Sequence, residues 1–250
     1  MVSTPSATHG NKSADIHGHM LKYAFEAIVL LLFLANAQLS RPQNLSELKT
    51  IDEINGFMQT YYLHPQPDRI AEVIDALSPS GFVRPNNEFV LIGFFSEVFA
   101  ANPNRVSEWQ DHIAKQDART KAILERAVSV SKTGGLLNNT GHSPQLNDGW
   151  WAAFFASGNP KFVNKLIDQL EYWDAREDEM LFFAGATAKW SLASNARSNA
   201  GVRSTLESAK ANATGRKQEL ISEALNEDPA SIKQQIKEII QSQKQAGKWK

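Results

Sequence analysis

The chain has 250 residues, 42% of them hydrophobic, and a formal net charge of −1. A nearly neutral chain has no strong field to attract nucleic acid or an anionic membrane, so we expect no nucleic-acid partner. The sequence contains no cysteine, which excludes disulfides, thiolate nucleophiles, iron–sulfur clusters and cysteine-ligated zinc.

Residues 20–38 have the pattern of an export signal. Lys22 supplies a positive flank, residues 28–34 form an unbroken apolar run, and Ala35-Asn36-Ala37 is a small-x-small cleavage site. The apolar run is shorter than the roughly 20 residues needed to span a bilayer. The pattern therefore favours a cleaved signal peptide over a membrane anchor.

These features predict a leader over residues 1–37, with Met20 as the true start if residues 1–19 are not native. The mature protein is then expected to be periplasmic or secreted, and the lack of cysteine fits a bacterial periplasm best. No stable membrane span is expected after cleavage near Ala37. The alternative is that residues 21–37 form a buried helix of a cytoplasmic protein.

Helix signals dominate the chain after a predicted linker over residues 38–49. Thr50 and Glu53 match a capping box, in which the Thr hydroxyl and the Glu carboxylate accept bonds from free backbone N–H groups. Apolar residues at helical spacing then cover residues 54–62, 70–77, 89–99, 106–113 and 123–128. We therefore predict a helical domain over residues 50–250.

The stretch Ser131–Asp148 contains Gly134-Gly135, Asn138-Asn139 and Gly141. Glycine and asparagine at this density are typical of a loop. We predict a long loop here, and it is the one candidate for an internal joint in the helical domain.

Helix signals resume at Trp150, and further helices are predicted to start near Asn159-Pro160 and Asp178. Asp228-Pro229 begins the last predicted helix, because Asp is a good N-cap and proline fits the first turn. Trp249 is predicted to be exposed beyond this lysine-rich helix, where it could touch a membrane or a partner. A solvated capping helix with a frayed end explains the same pattern.

Two segments of the chain align with one inserted residue. Residues 94–103 and 150–160 each contain an aromatic helix, an Asn-Pro corner and the start of a second amphipathic helix. Helical hairpins cannot bury their faces alone and must stack on neighbours. The units are loosely similar to tetratricopeptide-type repeats, a similarity that covers the hairpins alone. We expect an all-α fold of stacked helical hairpins, a short α-solenoid, with an irregular helical bundle as the alternative.

Motifs that carry catalysis or bind cofactors are missing from the sequence. His64, His112 and His142 lie in different segments, and no His-Glu-x-x-His motif is present. The acidic residues between 174 and 179 lack the alternating ligands and glycine of a calcium loop, and helix capping explains them better. We therefore predict no cofactor and no metal site, and the sequence identifies no catalytic residue.

The remaining candidates for a binding site are aromatic. Four such side chains share one stretch of helix: Trp150, Trp151, Phe154 and Phe155. They occupy more than one side of the helix, which is more than a single buried stripe requires. They predict either a fully buried central helix or a pocket for an apolar side chain or small ligand, with the 131–148 loop and His142 at its rim.

Three hypotheses for function follow from these features. The first is a binding or scaffold protein that recognises a protein or peptide partner without catalysis. The second is a carrier of a small molecule or lipid that uses the aromatic pocket. The third is an enzyme of unrecognised type, since a few dispersed carboxylates and a histidine suffice for acid–base catalysis.

Overall fold

The computed structural model of this protein describes residues 48–249. The predicted leader, its cleavage site at Ala37 and most of the predicted linker lie outside the described residues, so the export hypothesis stays a prediction. Within residues 48–249 all regular secondary structure is helical, which confirms the all-α fold class.

Eleven α-helices follow one another in this part of the chain. They are α1 (Ile51–Thr60), α2 (Ile70–Leu77), α3 (Glu88–Ala101), α4 (Val106–Ala114), α5 (Ala118–Ser131), α6 (Pro144–Ser157), α7 (Pro160–Gln169), α8 (Glu179–Ser198), α9 (Ala200–Asn212), α10 (Gly215–Asn226) and α11 (Pro229–Gln245). Short 3-10 turns cover Tyr61–Leu63, Pro67–Arg69, Pro103–Arg105, Gly135–Asn138 and Leu170–Asp174.

The capping signals in the sequence are confirmed. Thr50 Oγ1 accepts a hydrogen bond from the Glu53 N–H at 3.3 Å, and the Glu53 carboxylate accepts one from the Thr50 N–H at 2.9 Å. Asp178 caps α8 and Asp228 caps α11, each through a side-chain oxygen that accepts from a backbone N–H. Helix α10 is not predicted from the sequence, because it is largely polar and buries only a short apolar stripe.

The two aligned Asn-Pro corners differ in their hydrogen bonds. Asn159 Oδ1 accepts from the Lys161 N–H at 3.1 Å and caps α7, as predicted. Asn102 instead donates from Nδ2 to the Val98 carbonyl at 2.8 Å and so closes the end of α3. The difference arises because the chain passes through a 3-10 turn after Asn102 before α4 begins.

The predicted loop over Ser131–Asp148 is shorter in the structure. Helix α5 continues to Ser131 and α6 begins at Pro144. Ser143 Oγ accepts from the Leu146 N–H at 3.1 Å and caps α6. The helix starts earlier than predicted because this cap and the proline in the first turn outweigh the polar residues that follow.

Three helices form the centre of the fold. Helix α3 packs on α5 and α6, α6 packs on α8, and α8 contacts α9, α10 and α11. Helices α2 and α4 pack together, α1 lies on α6, and α7 contacts α6, α8 and α9. One continuous cluster of apolar side chains runs through these helices. The helices on either side of the predicted joint therefore pack on each other.

Helices α3 and α6 cross at two glycines that occupy equivalent positions in the aligned segments. Gly93 directly precedes Phe94-Phe95, and Gly149 directly precedes Trp150-Trp151. A Cβ atom at Gly93 would overlap the carbonyl oxygen of Gly149, so the crossing depends on the absence of a side chain. The two copies of the predicted unit thus meet through the same position.

Contacts between distant parts of the sequence complete the fold. Asn199 Nδ2 donates to the Tyr62 hydroxyl at 2.8 Å across 137 residues, and Arg105 pairs with Asp68 at 2.5 Å between two 3-10 turns. In a linear repeat array each unit contacts only its neighbours, so the Tyr62–Asn199 contact is more typical of a bundle. Between residues 48 and 249, none of the helices has the length and hydropathy that a transmembrane span requires.

Candidate functional site

The aromatic residues singled out in the sequence lie in the core. Helix α6 is buried along nearly its whole length. The exposed fraction is 1% for Trp150 and Trp151, 3% for Phe154 and 9% for Phe155. These values confirm the prediction of a buried central helix.

Each of the four side chains has a partner within the chain. The Trp150 indole N–H donates to the Leu136 carbonyl at 3.2 Å, and the Trp151 indole N–H donates to Ser191 Oγ at 2.9 Å. The two phenylalanine rings pack on one another and on neighbouring aromatic rings. The observed contacts are those of packing, and the pocket hypothesis for these residues stays a prediction.

His142 is exposed and lies in the loop before α6. Its Nδ1 is 3.2 Å from Gln169 Oε1 and its Nε2 is 3.3 Å from the Tyr172 hydroxyl. Lys165 Nζ donates to the Asn139 carbonyl at 3.3 Å. The three partner side chains are spaced four and three residues apart along α7 and the turn after it, so these contacts fasten the loop to α7.

This pairing determines the chemistry open to His142. Gln169 Oε1 can only accept, so His142 Nδ1 donates to it, and Nε2 pairs with the Tyr172 hydroxyl. Burial and the carboxylate of Glu171 raise the pKa of Tyr172, which keeps that hydroxyl protonated. Both ring nitrogens of His142 are thus engaged within the chain.

A buried cation lies in α8, and the sequence marks it only by a lysine within an otherwise apolar stretch. The Lys189 side chain is 1% exposed, and its Nζ pairs with Glu223 at 2.6 Å and with Glu227 at 3.5 Å. The same Nζ lies 4.2 Å from the centre of the Trp173 ring. Because a buried charge persists only when it is paired and hydrogen-bonded, this cluster fixes α10 against α8.

Trp249 is the largest departure from the sequence prediction. It is 5% exposed, and its ring centroid lies 4.9 Å from that of Phe182 and 6.1 Å from that of Phe183. Its indole N–H donates to the Arg176 carbonyl at 3.1 Å. The prediction that Trp249 is exposed is wrong.

Gly247 directs the chain back toward α8. Its φ of +69° lies in the left-handed region, and the N–H groups of Gly247 and Lys248 donate to carbonyls in the last turn of α11, at 3.0 Å each. This is the Schellman pattern with which many helices end at glycine. It brings Trp249 onto α8 and places Lys248 Nζ 2.6 Å from Glu177.

The surface that receives Trp249, which we call the tryptophan slot, is formed by Arg176, Glu177, Phe182 and Phe183. The guanidinium carbon of Arg176 lies 4.7 Å from the Phe182 ring centroid, within cation–π range. The same guanidinium donates to the Trp173 carbonyl. Arg176 is therefore held in place by its contacts with Phe182 and Trp173.

Two side-chain oxygen atoms at the ends of α8 and α11 are buried without a hydrogen-bond partner within residues 48–249. They are Glu179 Oε1 at the start of α8 and Gln243 Oε1 near the end of α11. Glu179 lies three residues before Phe182, and the Gln243 carbonyl accepts from the Lys248 N–H. An unsatisfied buried acceptor is unfavourable by about 1–3 kcal/mol.

Two carboxyl groups near the α3–α6 crossing have raised pKa values. Burial raises the pKa of Glu97 to about 7 and that of Asp148 to about 8. Glu97 follows Gly93 by one helical turn and its carboxylate lies against Gly135, while Asp148 directly precedes Gly149. Both groups therefore titrate near neutral pH, far above exposed carboxyls.

Three of the four acidic residues between 174 and 179 have structural partners. Asp178 caps α8 as expected, Asp174 pairs with Arg216 at 2.8 Å, and Glu177 pairs with Lys248. Across residues 48–249, no group of three or more His, Asp or Glu side chains is arranged to hold a metal ion.

Comparison with known proteins identifies no relative of this chain. No family model, curated protein or solved structure matches this chain. The similarity of the hairpins to tetratricopeptide-type repeats stays a prediction.

Proposed function

We propose that this protein is a helical binding protein that recognises a protein or peptide partner without catalysis. The tryptophan slot carries the proposal, because it holds an aromatic side chain that a short non-helical segment presents to it. The ring is 5% exposed, and its indole N–H is satisfied by the Arg176 carbonyl. This is how a peptide side chain is held in a recognition pocket.

The contacts of the slot resemble those of an interface hot spot. Hot spots combine an aromatic anchor in a desolvated pocket with a polar rim, here the Lys248–Glu177 pair. Each aromatic pair contributes about 0.5–1.5 kcal/mol beyond its buried area, whereas an exposed ion pair contributes about 0–1 kcal/mol. The ring therefore supplies most of the affinity, and the ion pair supplies orientation.

The test of this proposal is site-specific crosslinking in cells that express the protein naturally. A photoreactive amino acid replaces Met180, which is 46% exposed and lies one helical turn before Phe183. The matched control carries it at Asp111, an exposed residue of α4. We expect a discrete protein adduct from position 180 that position 111 does not give. No adduct at position 180, or the same adducts from both positions, would contradict the proposal.

We also propose that the protein acts after export, on the strength of the signal pattern in residues 20–38. Intact mass of the protein from fractionated cells tests this. A mature start at Gln38 in the periplasmic fraction supports export. A start at Met1 or Met20 in the cytosol contradicts it.

A further inference from the structure

We infer that the tryptophan slot is a recognition site for a partner peptide in which a lysine directly precedes a tryptophan, and that Lys248 and Trp249 occupy it in cis as a competitor. This inference rests on the proposed function and specifies its ligand. The slot already holds such a pair, so the chemistry of the occupant follows from contacts that the structure contains.

The hydrogen bond of the indole selects tryptophan over other aromatic residues. The Arg176 carbonyl accepts from Trp249 Nε1 at 3.1 Å. A phenylalanine ring has no donor to offer this carbonyl, and a tyrosine hydroxyl projects from a different point of its ring. An occupant without the indole N–H leaves a partly buried carbonyl unpaired, which lowers its affinity.

The charge around the slot selects a cation beside the aromatic ring. Glu177 accepts the Lys248 ammonium at 2.6 Å, and Asp178 and Glu179 follow it directly. The Arg176 guanidinium is directed at the Phe182 ring and the Trp173 carbonyl. The edge of the slot that contacts the lysine of the occupant is therefore acidic.

Release of the cis segment requires little rearrangement. Helix α11 is anchored by Ile232 and Ile236, which are buried and lie well before the Gly247 cap. Lys248 and Trp249 follow the cap, and these are the described residues that must leave for the slot to open. The exchange between cis and partner occupants can therefore proceed while the fold stays intact.

Fluorescence polarisation with the full-length protein tests the inference. The probe is a fluorescein-labelled hexapeptide with the sequence of residues 245–250, and the control probe has alanine in place of its tryptophan. In the variant W249A the slot is vacant, so we expect the hexapeptide to bind about tenfold more tightly than to the wild type. The variant W249F keeps an aromatic ring in the slot and serves as the control for loss of folding. Its affinity for the hexapeptide should lie between those of the wild type and W249A.

A second pair of variants tests the acidic rim in the W249A background. Replacing Glu177 by lysine should weaken hexapeptide binding severalfold, whereas the matched change D111K on α4 should leave it unchanged. Circular dichroism establishes that each variant is folded.

Two results would overturn the inference: equal affinity of the wild type, W249F and W249A for the hexapeptide, or equal binding of the alanine control probe. If the position-180 adduct persists despite such a result, only the lysine–tryptophan ligand is wrong. Loss of the adduct itself overturns the proposed function.

Discussion

Trp151 and Trp249 are similarly buried but are enclosed in different ways. Their exposed fractions are 1% and 5%, and each indole N–H donates to an acceptor within the chain. Trp151 lies on a central helix between packed helices, whereas Trp249 is held by a short segment after α11. Burial alone does not separate a core residue from a docked one. The distinction lies in how much of the fold must move to expose the side chain.

The largest effect is expected at the crossing that positions the Trp151 helix. In G93A the new Cβ overlaps the Gly149 carbonyl, so two central helices must separate. Ordinary overpacking is unfavourable by roughly 1–3 kcal/mol, and a clash with backbone should exceed it and abolish cooperative thermal unfolding. The control is G56A in α1, where a Cβ meets nothing within 4 Å and should stabilise by about 0.5–1 kcal/mol. A melting curve of G93A that matches the wild type would show that the helices do not cross here.

W151A should show the second largest effect. It removes a core indole and its bond to Ser191, and truncations of this kind lower the free energy of unfolding by about 3–5 kcal/mol. Equilibrium denaturation in urea measures the loss. A loss below about 0.5 kcal/mol, the range of surface substitutions, would mean that α6 is not central.

W249A should be milder, because it empties the slot without disturbing the helix crossings. We expect a loss smaller than the roughly 3–5 kcal/mol of a core tryptophan truncation, with faster amide hydrogen exchange confined to the start of α8 and the end of α11. Exchange that rises throughout the protein, or a loss equal to that of W151A, would make the slot part of the core and remove the contrast between the two tryptophans.

The smallest expected effect is on how the free energy of unfolding depends on pH through Glu97. The pKa of Glu97 rises from its ordinary 4.5 to about 7 on folding, so the folded state retains a proton that the unfolded chain releases. The contribution of this group to stability is therefore fully present below about pH 4.5 and is lost as pH rises to about 7.

E97Q should consequently gain stability relative to the wild type between pH 5 and pH 8. The gain should be about 1 kcal/mol, since Glu97 is only partly buried and solvent reduces the effect. A difference between E97Q and the wild type that stays constant with pH would contradict the raised pKa of Glu97.

The predictions that succeeded from sequence depend on local chemistry. A capping box needs only Thr50 and Glu53, and an Asp before a proline marks the start of α11 within two residues. Such signals act through hydrogen bonds between near neighbours, so a single sequence contains them. The aligned segments likewise predicted two equivalent aromatic helices, although not that these would meet at Gly93 and Gly149.

The predictions that failed depend on partners far along the chain. Trp249 follows a glycine and a lysine, which resembles a frayed end, and nothing nearby indicates that Phe182 lies within reach. Lys189 appears as an isolated charge until Glu223 is brought beside it by α10. Because tertiary contacts decide these environments, local pattern could identify the helices of the fold but not the tryptophan slot.

The glycine crossing also affects the order in which the chain can fold during synthesis. Helix α3 is almost entirely apolar, and its main partner α6 begins only at Pro144. The ribosome therefore releases α3 well before the surface that covers it, and exposed apolar segments of this kind bind chaperones or aggregate. Nascent chains arrested before Pro144 should remain bound to chaperones, and those arrested well beyond Ser157 should be released.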